Sequence, residues 1–224
     1  MRASVELTVD ESFRELVSDE RYPCLAATGT ARRGDYRLRV YQSLGSAEAS
    51  NALADDLAAF TREAQAQDGA GRLRAFVAVF TGDIPPTEEA FEQGLWSQLQ
   101  QLNDRDPAKA WDQTVSADPD DPRFAFSFDG TALFVIGLHP GSSRLARRFD
   151  WPALVFNPHA QFERLRRDGL FERLRDRIRA RDIALQGSLN PNLADFGART
   201  EARQYSGRET TDAAWQCPFH QRHR

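Results

Sequence analysis

Residues 124–148, FAFSFDGTALFVIGLHPGSSRLARR, contain the strongest structural signal in the chain. Asp129-Gly130 lies between two apolar runs, and this dipeptide favours a type I′ turn because both central residues must adopt positive φ. Phenylalanines alternate before the turn, whereas residues 132–138 are apolar throughout, which is typical of a strand buried on both faces. The stretch therefore predicts a hairpin whose second strand lies in the centre of a sheet.

The end of this second strand is a candidate ligand site. His139 follows the last apolar residue, and Ser143 is predicted to cap the next helix. That helix would begin with three arginines, Arg144, Arg147 and Arg148. In α/β proteins, ligands bind where a central strand ends in a loop and a helix start with free N–H groups.

The bulk composition is that of an ordinary soluble domain. Of 224 residues, 41% are hydrophobic and 28% charged, and the net charge of −4 argues against nucleic-acid or membrane-surface binding. No run of about 18 apolar residues occurs, and the first residues lack an export signal, so we expect a cytoplasmic protein. Cys24 and Cys217 are then expected to be free thiols.

The remaining patterns alternate between helix and strand. Helices are predicted to begin near Thr8, Ser46 and Thr87, each with apolar residues at helical spacing. A long helix is predicted from Pro158 onward, interrupted at Asp168-Gly169. Besides the hairpin, strands are predicted at residues 24–30, 36–44, 73–80 and 151–157.

Two regions lack a sustained period. Residues 103–123 contain three prolines and many aspartates and are predicted to be a mobile surface loop or lid. Residues 186–224 are irregular but contain aromatic residues, which favours an ordered wrap around the domain. The whole order predicts a single α/β domain over residues 1–224, with a mixed β-sheet flanked by helices and an irregular C-terminal wrap.

Common catalytic motifs are absent from the sequence. The chain contains no GxGxxG, GxxxxGK[ST], GxSxG or HExxH pattern. Cys217 and His220 have a spacing that two zinc ligands can share, but a structural zinc site needs four ligands and two are missing.

Three residues have both a packing interpretation and a functional one. Cys24 and Cys217 are either buried small thiols or thiolate ligands of a haem iron. His139 is either a strand-end histidine bonded to the backbone or a ligand to a metal. From the residues alone, packing is favoured for each.

Two acidic residues near the end of the chain are also open to two interpretations. Asp195 and Glu201 lie close in sequence to Arg199 and Arg203, and exposed groups of this kind usually form local ion pairs. Alternatively, one of these carboxylates binds a cationic, guanidine-like substrate.

Several short stretches together resemble the YqcI/YcgG family. They are YPC at residues 22–24, HPGSSRLARRF at 139–149, LVFNPHAQFERLR at 154–166, NPNLADFG at 190–197, EARQYSG at 201–207 and CPFH at 217–220. The resemblance covers roughly residues 22–220. It implies a haem protein, because characterised relatives are haem-dependent N-oxygenases of guanidines in D-cycloserine and guanitoxin biosynthesis, and of 2-aminoimidazole in azomycin biosynthesis. Other members of the family have no assigned function.

By position, the resemblance implies roles for residues of this chain. The candidate axial ligands of haem b are, in order, Cys24, His139 and Cys217. The candidate haem-binding residues are Arg144, Arg147, Arg148, Arg203 and Ser206. Glu201 and Tyr205 are the candidate catalytic residues, with Glu201 as the base that neutralises a substrate amine.

The expected function is N-oxygenation of a small amine or guanidine in specialised metabolism, with O2 and an electron donor that the sequence does not identify. No nucleic-acid or membrane partner is expected, and a homodimer is one possible assembly. Two alternatives from other classes remain: a non-catalytic haem sensor or carrier, and a protein that binds a small ligand without haem.

Overall fold

A single five-stranded mixed sheet organises the computed structural model, which describes residues 2–66, 71–106, 108, 110–210 and 215–221. The strands are β1 Tyr36–Tyr41, β2 Ala75–Phe80, β3 Phe126–Phe128, β4 Thr131–Leu138 and β5 Ala153–Pro158. Their order in the sheet is β1-β2-β5-β4-β3. The β1–β2 pair is parallel and the other three pairs are antiparallel.

Helices pack on both faces of this sheet. They are α1 Arg2–Ser18, α2 Leu25–Arg33, α3 Ala47–Ala66, α4 Glu88–Arg105, α5 His159–Arg167, α6 Phe171–Gln186 and α7 Ala202–Tyr205, with a 3₁₀ turn at Leu145–Arg147. One face carries α3 and α4 in a large aromatic core. The other carries α1 and α2 in a smaller core. The predicted fold class, a mixed sheet flanked by helices, is confirmed.

The hairpin forms as predicted, but its second strand is not the middle one. Asp129 and Gly130 have φ of 49° and 68°, as a two-residue turn with two left-handed positions requires. β4 lies between β5 and β3, so β5 is the central strand. Phe134 and Ile136 of β4 are only half-buried, because their face of the sheet lines a cavity.

The predicted strand at residues 24–30 is wrong, because this segment begins α2. Cys24 is the N-cap of that helix and its sulfur accepts a hydrogen bond from Ala27 N–H at 3.4 Å. Gly34, with φ of 68°, ends the helix in the left-handed region. A short apolar run rich in alanine suits a helix as well as a strand, so hydrophobic pattern alone could not separate them.

Two predicted helix starts are also wrong. Thr8 lies inside α1, where its hydroxyl donates to Ser4 O one turn earlier. Ser143 precedes only the three-residue 3₁₀ turn, and its N–H and hydroxyl donate to Glu88 Oε1 instead of capping a helix. By contrast, the caps at Ser46 and Thr87 and the interruption before Leu170 are confirmed.

The predicted lid at residues 103–123 is partly helix and partly core. α4 continues to Arg105, and the described residues after it bury Trp111 against Phe124 and Phe219 at 6.2 and 5.9 Å between ring centroids. Asp112 N–H donates to Ser127 Oγ at 3.0 Å. The region around Trp111 is therefore fixed to the sheet. Pro107 and Lys109 lie outside the described residues.

The closing segment is an ordered wrap, as predicted. Apart from α7 it has no regular structure over the described residues after Gln186, yet Tyr205 and Phe219 are fully buried in the aromatic core. Residues 211–214 and 222–224 lie outside the described residues. Among the described residues, no helix is long and apolar enough to span a membrane.

The wrap approaches β4 closely at Gly137. A Cβ built there would lie 2.7 Å from Phe91 Cε1 and 2.9 Å from Tyr205 O. Tyr205 belongs to α7, so the absence of a side chain at residue 137 lets the C-terminal segment sit directly on the sheet.

Gly137→Ala is therefore expected to lower the free energy of unfolding by about 1–3 kcal/mol, the usual cost of overpacking a core. Urea unfolding measures the effect. The matched control is Gly141→Ala, where the new Cβ would meet its nearest neighbour, His139 Cε1, at an ordinary 3.4 Å. Equal stability of the two variants would contradict the close approach.

Candidate functional site

A cavity of about 330 Å³ lies on the α2 face of the sheet. Its floor is built from paired residues of β4 and β5, Phe134 with Asn157 and Ile136 with Val155. Alternate residues of a strand share a face, so these pairs point to the same side. The walls come from α2, α5, α6 and residues 190–204, and most of the lining is apolar.

One end of the cavity contains a buried histidine–carboxylate pair. His159 begins α5 immediately after β5 ends, and its Nε2 lies 2.9 Å from Glu201 Oε1. The side chains of His159 and Glu201 are only 6% and 7% exposed. The rings of Phe196 and Phe162 lie 4.7 and 6.2 Å from the imidazole centroid, so the packing fixes its orientation.

The second carboxylate oxygen of Glu201, a residue that lines the cavity, is itself enclosed by protein. Glu201 Oε2 is buried and has no hydrogen-bond partner among the described residues. Burying a carboxylate oxygen without a donor is costly, and such atoms usually serve a ligand, a water or a catalytic step. This oxygen is inaccessible even from the cavity, so an N–H or O–H group of a ligand can bind it only after the surrounding lining moves.

The other end of the cavity contains a thiol and a guanidinium. Cys24 lines it at the start of α2, and burial raises the pKa of the Cys24 thiol, although N–H groups of the helix start and the charge of Arg147 oppose that rise. Arg147 N–H groups donate to the carbonyl oxygens of Gly137, Gln204 and Tyr205 at 3.1, 3.3 and 3.4 Å.

Two arginines, Arg144 and Arg147, line the cavity at the Cys24 end, and they differ in their partners. Arg144 is paired with Asp182 at 2.6 Å, whereas no described carboxylate lies within ion-pair distance of Arg147. Burial lowers the pKa of Arg147, but a guanidinium stays charged at neutral pH. The cavity therefore has a guanidinium whose described hydrogen bonds all go to backbone carbonyl oxygens.

The two ends are well separated. Arg147 binds Gly137, which pairs with Leu154, whereas His159 follows Pro158 at the far end of β5. The Arg147 side chain nevertheless reaches α7, which begins directly after Glu201, through the carbonyl oxygens of Gln204 and Tyr205. The cavity thus contains both a cation and a carboxylate, held from opposite ends of β5.

Of the three ligands predicted from the sequence, only Cys24 faces this cavity. His139 is fully buried and stacks on Phe91, with ring centroids 4.5 Å apart, and its Nδ1 accepts from Gly141 N–H. Cys217 is buried in the aromatic core of the opposite face, and that burial raises its pKa to about 12. The structure therefore leaves Cys24 as the one of the three alternative ligands that lines this cavity.

The predicted haem-binding residues also divide into two groups. Arg144 and Arg147 line the cavity, whereas Arg148, Arg203 and Ser206 do not. Arg148 donates to Ser142 O, Arg203 to Trp215 O, and Ser206 to Glu92 Oε1. These three side chains hold the C-terminal wrap and the loop after β4 in place.

The two predicted catalytic residues are neighbours with different environments. Glu201 lines the cavity, whereas Tyr205 is fully buried behind it, and the Tyr205 hydroxyl accepts from Phe126 N–H at 3.0 Å. Burial, and then the charge of Glu201, raise the pKa of Tyr205 well above its ordinary value. Tyr205 therefore anchors α7 and does not contact the cavity.

Sequence reasoning missed His159 as a site residue. It was treated only as the start of a helix, although it follows a buried strand directly, as His139 does. The same strand-end criterion applied to β5 would have selected it. Within the part of the chain that the structure describes, no group of three or more His, Cys, Asp or Glu side chains could hold a metal ion by itself.

Comparisons with known proteins give a family and no activity. A family model described as YqcI/YcgG family matches residues 13–220. Two relatives from Bacillus subtilis (strain 168), "Uncharacterized protein YcgG" and "Uncharacterized protein YqcI", are each 31% identical over 139 residues, which is 58% of this chain and 53% of theirs. The chain thus spans about half the length of the curated relatives it matches. No solved structure matches it significantly.

Replacing His139 with Asn is expected to reduce the acid sensitivity of folding. Burial lowers the pKa of His139 below its ordinary 6.5, and the charge of Glu88 partly offsets this effect. At pH values between the lowered pKa of the folded protein and 6.5, His139 therefore binds more protons in the unfolded chain than in the folded one. The free energy of unfolding then falls as the pH falls through this window, by at most about 1.4 kcal/mol per pH unit. Asn still offers an acceptor to Gly141 N–H but does not titrate.

Urea unfolding at about pH 7.5 and about pH 5.5 measures the difference. The unsubstituted protein should lose more stability between the two pH values than H139N does. The matched control, H220N, removes an exposed histidine and should behave like the unsubstituted protein. Identical losses for H139N and H220N would show that His139 contributes nothing to the pH dependence.

Proposed function

The chain belongs to the YqcI/YcgG family, and on that premise we propose that it binds haem b in the cavity and oxygenates a nitrogen of a small amine or guanidine. The proposed setting is specialised metabolism in the cytoplasm, with O2 as co-substrate and an electron donor still to be identified. The observation that carries the proposal is Glu201 Oε2, a buried carboxylate oxygen without a partner among the described residues, at the end of an apolar cavity.

Glu201 suits a nitrogen substrate in two respects. A protonated amine or a guanidinium presents N–H donors, and a buried carboxylate binds such donors strongly. A protonated amine must also lose a proton before its nitrogen can react, and a carboxylate within hydrogen-bond reach can accept it. The hydrogen bond from His159 holds Oε1, so Oε2 is the oxygen that a ligand would bind once the lining around it moves.

The cavity lining is chemically compatible with a haem. Apolar side chains cover the floor, a thiol and an imidazole face the interior, and Arg147 offers a guanidinium to a carboxylate. Haem carries two carboxylates on an otherwise apolar macrocycle, and arginine binds carboxylates through paired N–H donors. When bound, haem supplies oxygen activation at its iron.

Cys24 is the residue that we propose would hold the haem iron. His159 already directs its Nε2 to Glu201, whereas the Cys24 sulfur has only a long hydrogen bond from Ala27 N–H. N–H groups at a helix start stabilise a thiolate, and a thiolate ligand favours O–O cleavage. Arg147 is in turn the residue that we assign to a haem propionate, because Arg144 is already paired with Asp182.

The volume of the cavity favours a second candidate function. About 330 Å³ lies at the lower end of the range of about 300–1,000 Å³ that is usual for drug-sized ligands. A protein that binds a small cationic ligand without haem would need no larger space. The haem proposal requires one wall of the cavity to move outward.

Reconstitution with haem tests the function directly. We expect a Soret band after loading, and oxygen uptake that depends on an added amine or guanidine and an electron donor. Glu201→Gln should keep the Soret band but lower this uptake about 100-fold or more, since general-base catalysis contributes about 10²–10⁴-fold. The matched control, Glu163→Gln, changes an exposed carboxylate of α5 and should retain activity.

The outcomes separate the candidate functions. Absence of a Soret band, together with tight binding of a guanidine that Glu201→Gln abolishes, would contradict the haem proposal and support the second candidate. A Soret band without amine-dependent uptake would indicate a haem sensor or carrier. Full activity of Glu201→Gln would remove Glu201 from the mechanism.

Haem affinity tests the assignment of Arg147. Arg147→Gln is expected to weaken haem binding about tenfold or more, because hydrogen bonds to charged groups contribute about 1.5–3 kcal/mol. Arg148→Gln is the matched control, since Arg148 is exposed and does not line the cavity. Titration of haem monitored by absorbance gives both dissociation constants, and equal constants would show that the propionates bind elsewhere.

The spectrum of the reduced CO complex tests the axial ligand. Cys24→Ser should abolish a thiolate-type spectrum, whereas Cys217→Ser, on the opposite face of the sheet, should preserve it. A thiolate-type spectrum that survives in Cys24→Ser would contradict ligation by Cys24.

A further inference from the structure

We propose that residues 193–199, LADFGAR, form a hinged cover over the cavity. Ion pairs of Asp195 hold this cover on α6, and the cover opens to admit ligands. Leu193, Ala194, Asp195 and Phe196 line the cavity, and the three residues that follow are exposed. This cover segment is one wall of the candidate site. The inference holds whatever ligand the cavity binds.

Access to the site requires a wall to move. Glu201 Oε2 is buried from solvent, and Glu201 as a whole is only 5% exposed. The ring of Phe196 lies 4.7 Å from the ring of His159, so the cover segment closes over the histidine–carboxylate pair. A ligand that binds Glu201 must therefore displace part of the lining.

The chain is firmly held immediately before the cover segment. Asn192 is 1% exposed, its side-chain amide donates to Arg208 O at 2.7 Å, and its carbonyl oxygen accepts from Thr210 Oγ1 at 3.0 Å. Asn190 donates to Gly207 O at 2.9 Å. These buried hydrogen bonds of the asparagine side chains join residues 190–192 to residues 207–210.

The chain is equally well held after the cover segment. Thr200 Oγ1 donates to Pro119 O at 2.6 Å, Glu201 pairs with His159, and Tyr205 is fully buried. Glu201 therefore belongs to the fixed part of the structure. Opening of the cover segment would expose the site without dismantling it.

The contacts of the cover segment itself include exposed ion pairs. Asp195, 46% exposed, pairs with Arg175 at 2.7 Å and with Arg179 at 2.9 Å, both on α6. Such exposed pairs are individually weak and are screened by salt. Among the described residues, four further hydrogen bonds link the segment to its surroundings: Gly197 N–H to Pro122 O at 3.1 Å, Leu193 N–H to Asn190 O at 3.0 Å, Arg199 to Pro191 O at 3.2 Å and Gln204 to Ala194 O at 3.4 Å. Phe196 adds apolar packing against the aromatic core and His159, so the ion pairs of Asp195 are the part of the attachment that salt weakens.

Hydrogen exchange of the Gly197 amide tests the latch, because that amide reports whether the segment is closed on Pro122. Asp195→Asn should accelerate its exchange about 3- to 10-fold, the range expected from losing two exposed ion pairs. The amides of Asn192 and Gln204, in the fixed flanks, should exchange as before. Added salt, about 0.5 M, should accelerate Gly197 in the unsubstituted protein but hardly in Asp195→Asn.

Asp176→Asn is the matched control. Asp176 also binds Arg175, at 2.9 Å, but it lies on α6 and has no link to the cover segment. Its removal should leave exchange at Gly197 unchanged. An unchanged Gly197 rate in Asp195→Asn, an equal acceleration in Asp176→Asn, or a parallel acceleration in both flanks would each overturn the proposal.

Alkylation of Cys24 tests whether the cover segment controls entry. Cys24 lines the cavity, and Cys217, buried on the other face, is an internal reference in the same molecule. Peptide mass spectrometry after timed exposure to N-ethylmaleimide follows both thiols. Asp195→Asn should raise the Cys24 rate by about the factor seen at Gly197 and leave Cys217 unchanged. Faster exchange at Gly197 with an unchanged Cys24 rate would overturn the role in entry.

Discussion

The hydrogen bond between His159 and Glu201 joins the end of the central strand to the closing segment of the chain. Both residues depend on elements fixed elsewhere: His159 starts α5 where β5 ends, and Glu201 precedes α7, which Tyr205 anchors in the aromatic core. A buried carboxylate is costly without donors, so this arrangement is sustained by the packing around it. The C-terminal wrap therefore supplies a buried carboxylate to the cavity lining as well as packing to the core.

The distribution of charge makes the cavity more specific than its apolar lining suggests. Arg147 has backbone carbonyl oxygens as partners, and one buried oxygen of Glu201 has no partner among the described residues. Low local polarity strengthens interactions with each of these groups. A ligand with an anionic part for Arg147 and an N–H donor for Glu201 would bind both groups. In the proposed function, a haem carboxylate and an amine substrate would do so together.

The sequence predicted the elements with strong local rules. Asp129-Gly130 determined the hairpin, and Ser46 and Thr87 marked two helix starts, because turn and cap geometry depends on adjacent residues. It did not predict that residues 24–30 are helical, since a short alanine-rich run fits either structure.

The site was predicted only in part, because burial and pairing are properties of the tertiary structure. Glu201, Cys24 and Arg147 were selected from the sequence and line the cavity, but His139 and Cys217 lie outside it. The partnership of Glu201 with His159 spans 42 residues of sequence and has no local signature. The central claim is that haem occupies this cavity, and a crystal structure of the haem-reconstituted protein tests it most directly. The account predicts iron at the Cys24 end with a propionate on Arg147, whereas haem bound elsewhere, with the Cys24 and Arg147 contacts unchanged, would contradict it.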